Sequence, residues 1–190
     1  MAEQELPVDR PGHGMPVLAR SVPSQNRGPE RTRTVTWEDP SIPAGAAASM
    51  SGLEFIRAII DGEIPPPPIA ALLGMSIVEV EPGRAVFELA PAEFQFNPIG
   101  SVHGGVLTTL LDSAMGCAVH TMLPAGSAYT TLELKVNFLR RVTSETGSLR
   151  CEGTAIHVGR TVATAEARVT DGPGRLVAHA TTTCLLFPGP

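Results

Sequence analysis

The sequence predicts an α+β domain in which an antiparallel sheet wraps around one long, buried helix. Three observations support this class: a hairpin pattern over 75–90, a long apolar stretch with helical spacing after Gly104-Gly105, and four strand-like stretches after that helix. The strand-like stretches cover 128–139, 146–157, 161–170 and 175–187, and turn residues separate them. Short turns join antiparallel neighbours, so we expect an antiparallel meander behind the helix.

The first 48 residues differ in composition from the rest of the chain. They hold seven of the 18 prolines and no apolar repeat that could bury a face, so we expect a disordered tail over 1–48. A lead-in follows over 49–69, where Ser51 caps a short helix that must end before the four prolines at 65–68. The folded domain is then predicted over 70–190.

Hydrophobic periodicity predicts the two central elements. Period-two alternation on both sides of Pro82-Gly83 indicates a hairpin that joins 75–81 to 84–90. The long helix is indicated by apolar residues at three- and four-residue steps that stop before Pro124, namely Val106, Leu107, Leu110, Leu111, Ala114, Met115, Ala118 and Val119. Because this helix is apolar nearly all the way round, other structure must surround it.

Composition argues against several classes of function. The net charge is −5 and the chain has one Trp, one Tyr and six Phe, so nucleic acid is a poor candidate partner. No stretch reaches the roughly 18 to 20 apolar residues of a membrane-spanning helix, and the N-terminus lacks a secretory pattern, so we expect no membrane association and a cytoplasmic location. Three cysteines without a close CxxC pair indicate neither a disulfide framework nor a zinc site.

Residues that could carry chemistry begin just before the long helix. Gly104 and Gly105 open it, and bare backbone N–H groups at the positive end of a helix dipole could stabilise an oxyanion, although a tight turn would need glycine as well. His103 could position a carbonyl or a water, or be held by the loop backbone. Asn97 could hold a water or initiate an Asx turn before Pro98.

Asp112 is the only charged residue between Glu93 and Glu133, and it lies in the middle of the most hydrophobic helix. Its carboxylate is a candidate general base or nucleophile, although a polar stripe facing water would also explain it. Gly116, one turn later, favours the functional interpretation, because it clears space beside the carboxylate and costs about 1 kcal/mol of helix stability.

Spacing along the helix separates these two groups. Gly104 and Asp112 are eight positions apart, which puts them about 12 Å apart along the axis and about 80° apart around it. One helix therefore cannot direct both groups at the same carbonyl. If both are catalytic, two copies of the helix must meet across a two-fold axis, and the active form must be a dimer.

Two stretches of sequence resemble a known family. N-P-I-G-S-V-H-G-G-V-L-T-T-L-L-D-S-A-M-G (97–116) and T-T-L-E-L-K-V-N-F-L-R (130–140) are similar to the hotdog-fold acyl-CoA thioesterases of the PaaI, or phenylacetic acid degradation, type. The resemblance covers roughly 70–187. It implies the hotdog fold, in which subunits pair into a homodimer with a continuous sheet and dimers commonly pair again into a homotetramer.

The same resemblance implies catalytic roles, residue by residue. It puts the carbonyl-polarising amide at Gly104, with His103 beside it, and the nucleophilic or water-activating carboxylate at Asp112 of the facing subunit. Asn97 would lie near the attacking water, and Thr131 would assist that water. The neighbouring Thr130 leaves this last register open by one residue.

Substrate contacts are also implied by the family. Coenzyme A would lie across the subunit boundary, with contacts expected from Gly105, from Arg140 and from the turn Val158-Gly159-Arg160-Thr161. The arginine fork suits phosphate, although arginines at strand ends are also ordinary surface charges. We expect the acyl pocket to be lined by helix residues and by loops such as Phe94-Gln95-Phe96.

The expected function is hydrolysis of an acyl-CoA thioester to a carboxylic acid and free coenzyme A. Coenzyme A is part of the substrate, and neither a further cofactor nor a metal is expected. Two alternatives stay open: an acyl-CoA hydratase or dehydratase, and a non-catalytic acyl-CoA-binding hotdog module.

Overall fold

The computed structural model describes residues 28–189. Three short helices precede the first strand, and one long helix lies between the second and third strands. The helices are α1 (Ser41–Ala47), α2 (Gly52–Ile60), α3 (Pro68–Leu73) and α4 (Gly104–His120). The strands are β1 (Met75–Glu81), β2 (Arg84–Leu89), β3 (Ser127–Phe138), β4 (Leu149–Val158), β5 (Val162–Thr170) and β6 (Leu176–Pro188). Residues 28–34 contain no helix or strand and belong to a separate unit from the rest.

The lead-in begins with the predicted cap. The Ser51 hydroxyl accepts the backbone N–H of Glu54, and the Glu54 carboxylate accepts the backbone N–H of Ser51 at 2.9 Å, which is a capping box. Gly52 then brings α2 against the end of α4, because its N–H donates to the carbonyl of Leu123. A Cβ at Gly52 would lie 1.8 Å from the carbonyl oxygen of His120, so only glycine permits this approach.

The boundary of the predicted tail needs a correction. Residues 1–27 of that tail lie outside the described residues, but α1 falls inside the 1–48 segment that was expected to be disordered. Pro43 stands in the first turn of α1, where a missing N–H costs no helical hydrogen bond, and three alanines with high helix propensity surround Gly45. Proline content alone was therefore a poor guide to this end of the tail.

The six strands form one antiparallel sheet in the order β1-β2-β4-β5-β6-β3. The hairpin β1–β2 and the meander β4–β5–β6 agree with the sequence prediction. β3 does not pair with β4, the next strand in the sequence. It pairs with β6 and forms the edge of the sheet opposite β1. The reason is the connection over 139–148, which is too long for a tight turn and carries the chain across the sheet.

The sheet wraps around α4, which confirms the predicted α+β class. More than half of the residues of α4 are buried, and it packs on every strand of the sheet. Gly153 in β4 permits the closest approach, because a Cβ there would lie 2.3 Å from the carbonyl oxygen of Ala114. Within residues 28–189, no helix is long and apolar enough to cross a bilayer.

One edge of the sheet carries exposed apolar side chains. β3 is the last strand and pairs on one side only within the described chain. Leu132, at a bulge in β3, is 58% exposed, and Phe138 at its end is 52% exposed. An open edge of this kind is normally covered, because unpaired backbone groups and apolar side chains favour association.

Candidate active site

The central feature of the site is a hydrogen bond between α4 and β3. The Thr131 hydroxyl donates to Oδ1 of Asp112 at 2.9 Å. Asp112 thus lies on the side of α4 that faces β3, rather than on a stripe facing bulk water. The neighbouring Thr130 pairs with Leu185 and is exposed, so the two threonines have different surroundings and Thr131 is the one beside the carboxylate.

The first residue of α4, Gly104, has a backbone N–H that is available to a ligand. His103 is the N-cap, and its Nδ1 accepts the N–H of Gly105 at 2.9 Å. The N–H of Gly104 makes no hydrogen bond to any described residue. Of the two glycines, Gly105 therefore has its donor occupied, whereas the Gly104 donor is available to a ligand.

The loop before α4 is held by Asn97. Its Oδ1 accepts the N–H groups of Ile99 and Ser101, and its Nδ2 donates to the Ser101 hydroxyl at 3.0 Å. Arg141 supports the same loop from outside, since its guanidinium donates to the carbonyl of Gly100 at 2.9 Å. The side chain of Asn97 thus forms the Asx-type turn, and its role near an attacking water stays a prediction.

Within one protomer the donor and the acid remain apart. Gly104 lies against the ring of Phe138, where an added Cβ would be 3.1 Å from Cζ, whereas Asp112 contacts Thr131, seven residues earlier on β3. The two groups therefore face opposite halves of the same strand. One protomer does not bring them to a common carbonyl.

The predicted coenzyme A contacts also fall into two places. The turn 158–161 ends at Val162, which pairs with Leu185 of β6, whereas Phe138, just before Arg140, pairs with Ala178. Seven residues of β6 separate these points, or about 23 Å. Arg140 additionally donates to the carbonyl of Leu176. One protomer thus does not join Arg140 to this turn.

A cavity of about 910 Å³ opens beside the carboxylate. Asp112 and Thr131 line it, and α2, α3 and β1 contribute apolar walls that include Phe55, Ile59 and Ile60. The polar side chains along the rest of it are Ser76, Ser113, Cys117, His120, Tyr129 and Thr130. Among the described residues that line the cavity, Asp112 is the only one with a carboxylate, and none is a lysine or arginine.

The acyl pocket predicted near 94–96 is not where this cavity lies. Phe94 is 46% exposed, Phe96 packs on the core, and the buried Gln95 donates its Nε2 to the carbonyl of Leu73 at 2.7 Å. The sequence interpretation missed the lead-in helices as walls, because the apolar face of α2 looked like an ordinary packing surface. Tyr129, two residues before Thr131 on the same face of β3, was the signal that could have extended the site.

Burial affects the titratable groups in the cavity. It raises the pKa of Cys117 to about 12, raises the pKa of Tyr129 well above its usual value and lowers the pKa of His120. All three side chains are therefore neutral near neutral pH. Among residues 28–189, no group of three or more His, Cys, Asp or Glu side chains is placed to hold a metal ion.

Comparison in sequence identifies relatives of this chain. Residues 99–178 match the model of the thioesterase superfamily. Over 105 residues the chain is 30% identical to the 1,4-dihydroxy-2-naphthoyl-CoA hydrolase of Listeria monocytogenes, an alignment that covers 55% of this chain and 84% of the relative.

Comparison in structure identifies similar folds. A phenylacetic acid degradation-related protein from Ralstonia eutropha is 32% identical with a TM-score of 0.63, covering 68% of this chain and 98% of that one. A Streptococcus mutans protein solved with acetyl CoA bound is 27% identical with a TM-score of 0.55, covering 60% of this chain and 90% of that one.

Proposed function

Because the chain belongs to the thioesterase superfamily, as a hotdog thioesterase of the PaaI type, we propose that it hydrolyses an acyl-CoA thioester to a carboxylic acid and free coenzyme A. The observation that carries this proposal is the Asp112–Thr131 pair at one end of a large, mostly apolar cavity. Coenzyme A as the thiol is supported by the acetyl CoA bound to the Streptococcus mutans relative.

In the proposed reaction the Gly104 N–H donates a hydrogen bond to the thioester oxygen and stabilises the negative charge that develops on it. Asp112 acts in one of two ways. Its carboxylate attacks the carbonyl carbon, expels the coenzyme A thiolate and leaves a mixed anhydride that water hydrolyses. Alternatively, it takes a proton from a water, whose oxygen attacks the carbonyl while the thiolate leaves and is protonated. In both cases Thr131 orients the carboxylate.

Both groups reach one substrate if two protomers pair through β3. Leu132 is the extra residue of the bulge in β3, so an antiparallel pairing with its two-fold axis through Lys135 would place the partner's Phe138 opposite Thr131. Gly104 lies against Phe138 and Asp112 against Thr131, so the partner's Gly104 would approach Asp112. The same pairing would cover the exposed edge and its apolar side chains.

The same pairing would also bring the predicted coenzyme A contacts, Arg140 and the turn 158–161, close to each other. The two-fold axis would bring the partner's Arg140 to the end of the sheet that carries the turn 158–161. Arg160 is exposed in that turn, so two guanidinium groups would be available there for the nucleotide phosphates. His103 would add the Nε2 side of its ring, since its Nδ1 is already an acceptor.

The proposed function is tested by Asp112→Asn. We expect this variant to lose most thiol release across a panel of short, medium, long and aryl acyl-CoAs, while its mass in solution and its thermal unfolding match the wild type. Asp61→Asn, at an exposed position outside the cavity, is the matched control and should keep full activity. Near-wild-type turnover by Asp112→Asn would contradict the assignment of the acid.

The two routes for Asp112 are separated by a single turnover in heavy-oxygen water. Label that enters the protein carboxylate indicates attack by Asp112. Label found only in the product acid indicates activation of water. Addition of water across a carbon–carbon double bond of the acyl group, or loss of water to form one, with the thioester intact, would instead identify a hydratase or dehydratase.

A further inference from the structure

β3 changes its alternation at the bulge that contains Leu132. Before the bulge, Tyr129 packs on the core and Thr131 faces α4, so odd-numbered side chains point inward. After the bulge, Leu134 and Val136 pack on the core, so even-numbered side chains point inward. A bulge adds one residue to one strand of a pair, and such an insertion shifts the alternation by one position. Both halves of β3 therefore bury apolar side chains, although their patterns are out of step.

The position of the bulge determines which side chain lies beside the carboxylate on α4. Thr131 is opposite Cys184 of β6, and Glu133 is opposite the residue before Cys184. A regular strand continued back from Glu133 would bring Leu132 opposite Cys184 and turn the Thr131 hydroxyl to the outer face. The carboxylate would then face an apolar side chain and lose its hydrogen bond. The bulge thus places the Thr131 hydroxyl where it is seen.

A buried hydroxyl from β6 holds the residue that follows the bulge. Thr182 is 2% exposed, and its hydroxyl donates to the backbone carbonyl of Glu133 at 2.7 Å. Its neighbours on the same face of β6, Ala180 and Cys184, are buried, and Leu134 lies opposite. Valine would fill this place with the same shape and also favours strands, so the bond to Glu133 is what the hydroxyl contributes.

The Thr182 bond lies close to the Thr131 hydroxyl. Cys184 is two residues after Thr182 on the inner face and directly opposite Thr131. Burial raises the pKa of Cys184, and the nearby hydroxyls of Thr182 and Thr131 oppose that rise. Along β3, only Leu132 separates Thr131 from Glu133, so a displacement of the Glu133 carbonyl would also displace the Thr131 side chain.

We propose that Thr182 is a positioning residue for the thioesterase reaction: its bond to Glu133 fixes the bulge so that the Thr131 hydroxyl points at Asp112. The assignment rests on the proposed function and adds to it a residue outside the cavity, since Thr182 is not among the described residues that line it. Bulges next to active sites commonly redirect a side chain in this way. Loss of the Thr182 hydroxyl would loosen the orientation of the carboxylate and leave every group that contacts substrate in place.

Thr182→Val removes the hydroxyl and keeps the shape. With the acyl-CoA of the panel that the wild type hydrolyses fastest, kcat should fall by about 3- to 10-fold, the scale of one hydrogen bond, while KM stays within about twofold. Thr182→Ser keeps a hydroxyl, so its kcat should stay within about twofold of wild type. Thr182→Ala removes the hydroxyl without adding any atom, and it supplies the same test if the valine variant does not fold.

Thr183→Val is the matched control. The Thr183 hydroxyl also binds Glu133, but it donates to the exposed carboxylate at 3.1 Å on the outer face and not to the backbone. The substitution is the same and lies one residue along the same strand, so kcat should be unchanged. Mass in solution and thermal unfolding report whether each variant keeps its assembly and its fold.

A double-mutant cycle with Thr131→Val separates positioning from a general effect on the fold. If Thr182 acts through Thr131, adding Thr182→Val to Thr131→Val should lower kcat by less than about twofold, because the hydroxyl to be positioned is already absent. A purely structural role would instead lower kcat by the same factor in both backgrounds.

Three outcomes would overturn the positioning role alone, while Asp112→Asn still loses thiol release. They are an unchanged kcat in both Thr182→Val and Thr182→Ala, equal losses in Thr182→Val and Thr183→Val, and equal factors in the two backgrounds of the cycle. No thiol release by the wild type across the panel, or full activity of Asp112→Asn, would overturn the proposed function and the positioning role with it. The two failures are therefore distinguishable.

Discussion

Replacing Gly104 with proline should remove the proposed oxyanion donor and leave α4 in place. Gly104 is the first helical residue, the position at which proline is favoured because its fixed φ suits the helix and the N–H has no helical partner. The preceding residue, His103, has φ −62° and ψ 136°, which is the conformation that a following proline requires. The Gly104 N–H makes no hydrogen bond within the described chain, so folding loses none.

The magnitude follows from what the substitution adds and removes. The added Cβ would lie 3.1 Å from Cζ of Phe138, and this half-exposed ring can move by a few tenths of an ångström. Loss of one oxyanion donor is typically worth about 2.7 to 4 kcal/mol, so kcat should fall by about 100- to 1000-fold. Gly104→Ala adds the same Cβ but keeps the N–H, and it should stay within a few-fold of wild type.

The shared site is tested by mixing Gly104→Pro with Asp112→Asn after reversible dissociation. In a shared arrangement, each mixed dimer has one site with both groups intact and one site with neither. Random reassociation makes half of the dimers mixed, so thiol release should recover to about one quarter of wild type. Equal activity of Gly104→Pro and Gly104→Ala would refute the donor assignment, and mixtures that stay inactive would refute the site shared between protomers.

Three further predictions concern the acid, the helix–sheet contact and the thiols. Thr131→Val should lower kcat by about 10- to 150-fold, because a hydrogen bond to a charged group is worth about 1.5 to 3 kcal/mol, whereas Thr130→Val should not. Gly153→Ala should lower the free energy of unfolding in urea by at least about 1 to 3 kcal/mol, because its Cβ would overlap the backbone of α4; Gly45→Ala, with open space around it, should be neutral or stabilising by up to about 1 kcal/mol. Cys117 should resist iodoacetamide at pH 8 until the protein unfolds, because burial raises its pKa to about 12 and the reactive thiolate forms only above that pKa.

Each of these predictions has a result that contradicts it. Equal kcat for the two threonine variants would remove the role of the bond to Asp112. A Gly153→Ala protein as stable as Gly45→Ala would mean that β4 and α4 separate at little cost. Alkylation of Cys117 in the folded protein, detected by intact mass, would mean that its surroundings admit water and a thiolate.

Elements with local signals were predicted from the sequence. The hairpin around Pro82-Gly83, the cap at Ser51 and the long apolar helix each depend on residues within a few positions of one another. The path of β3 to the far edge of the sheet could not be predicted in this way, because the alternation along a strand does not name its neighbour. Nor did proline content reveal α1, whose alanines outweigh one proline in the first turn.

Some residues of the proposed site were likewise predictable from the sequence, and others were not. Gly104 and Asp112 were recognisable from their spacing within one helix, since eight residues of regular helix define a distance without knowledge of the rest of the fold. The cavity beside Asp112 depends on Tyr129 of β3 meeting Gly116 of α4 and on walls from the lead-in helices, and nothing in the sequence near any of these residues indicates that meeting. Periodicity reports which face of an element is apolar, but a pocket forms where faces from distant parts of the chain fail to close, and that is a property of their packing in three dimensions.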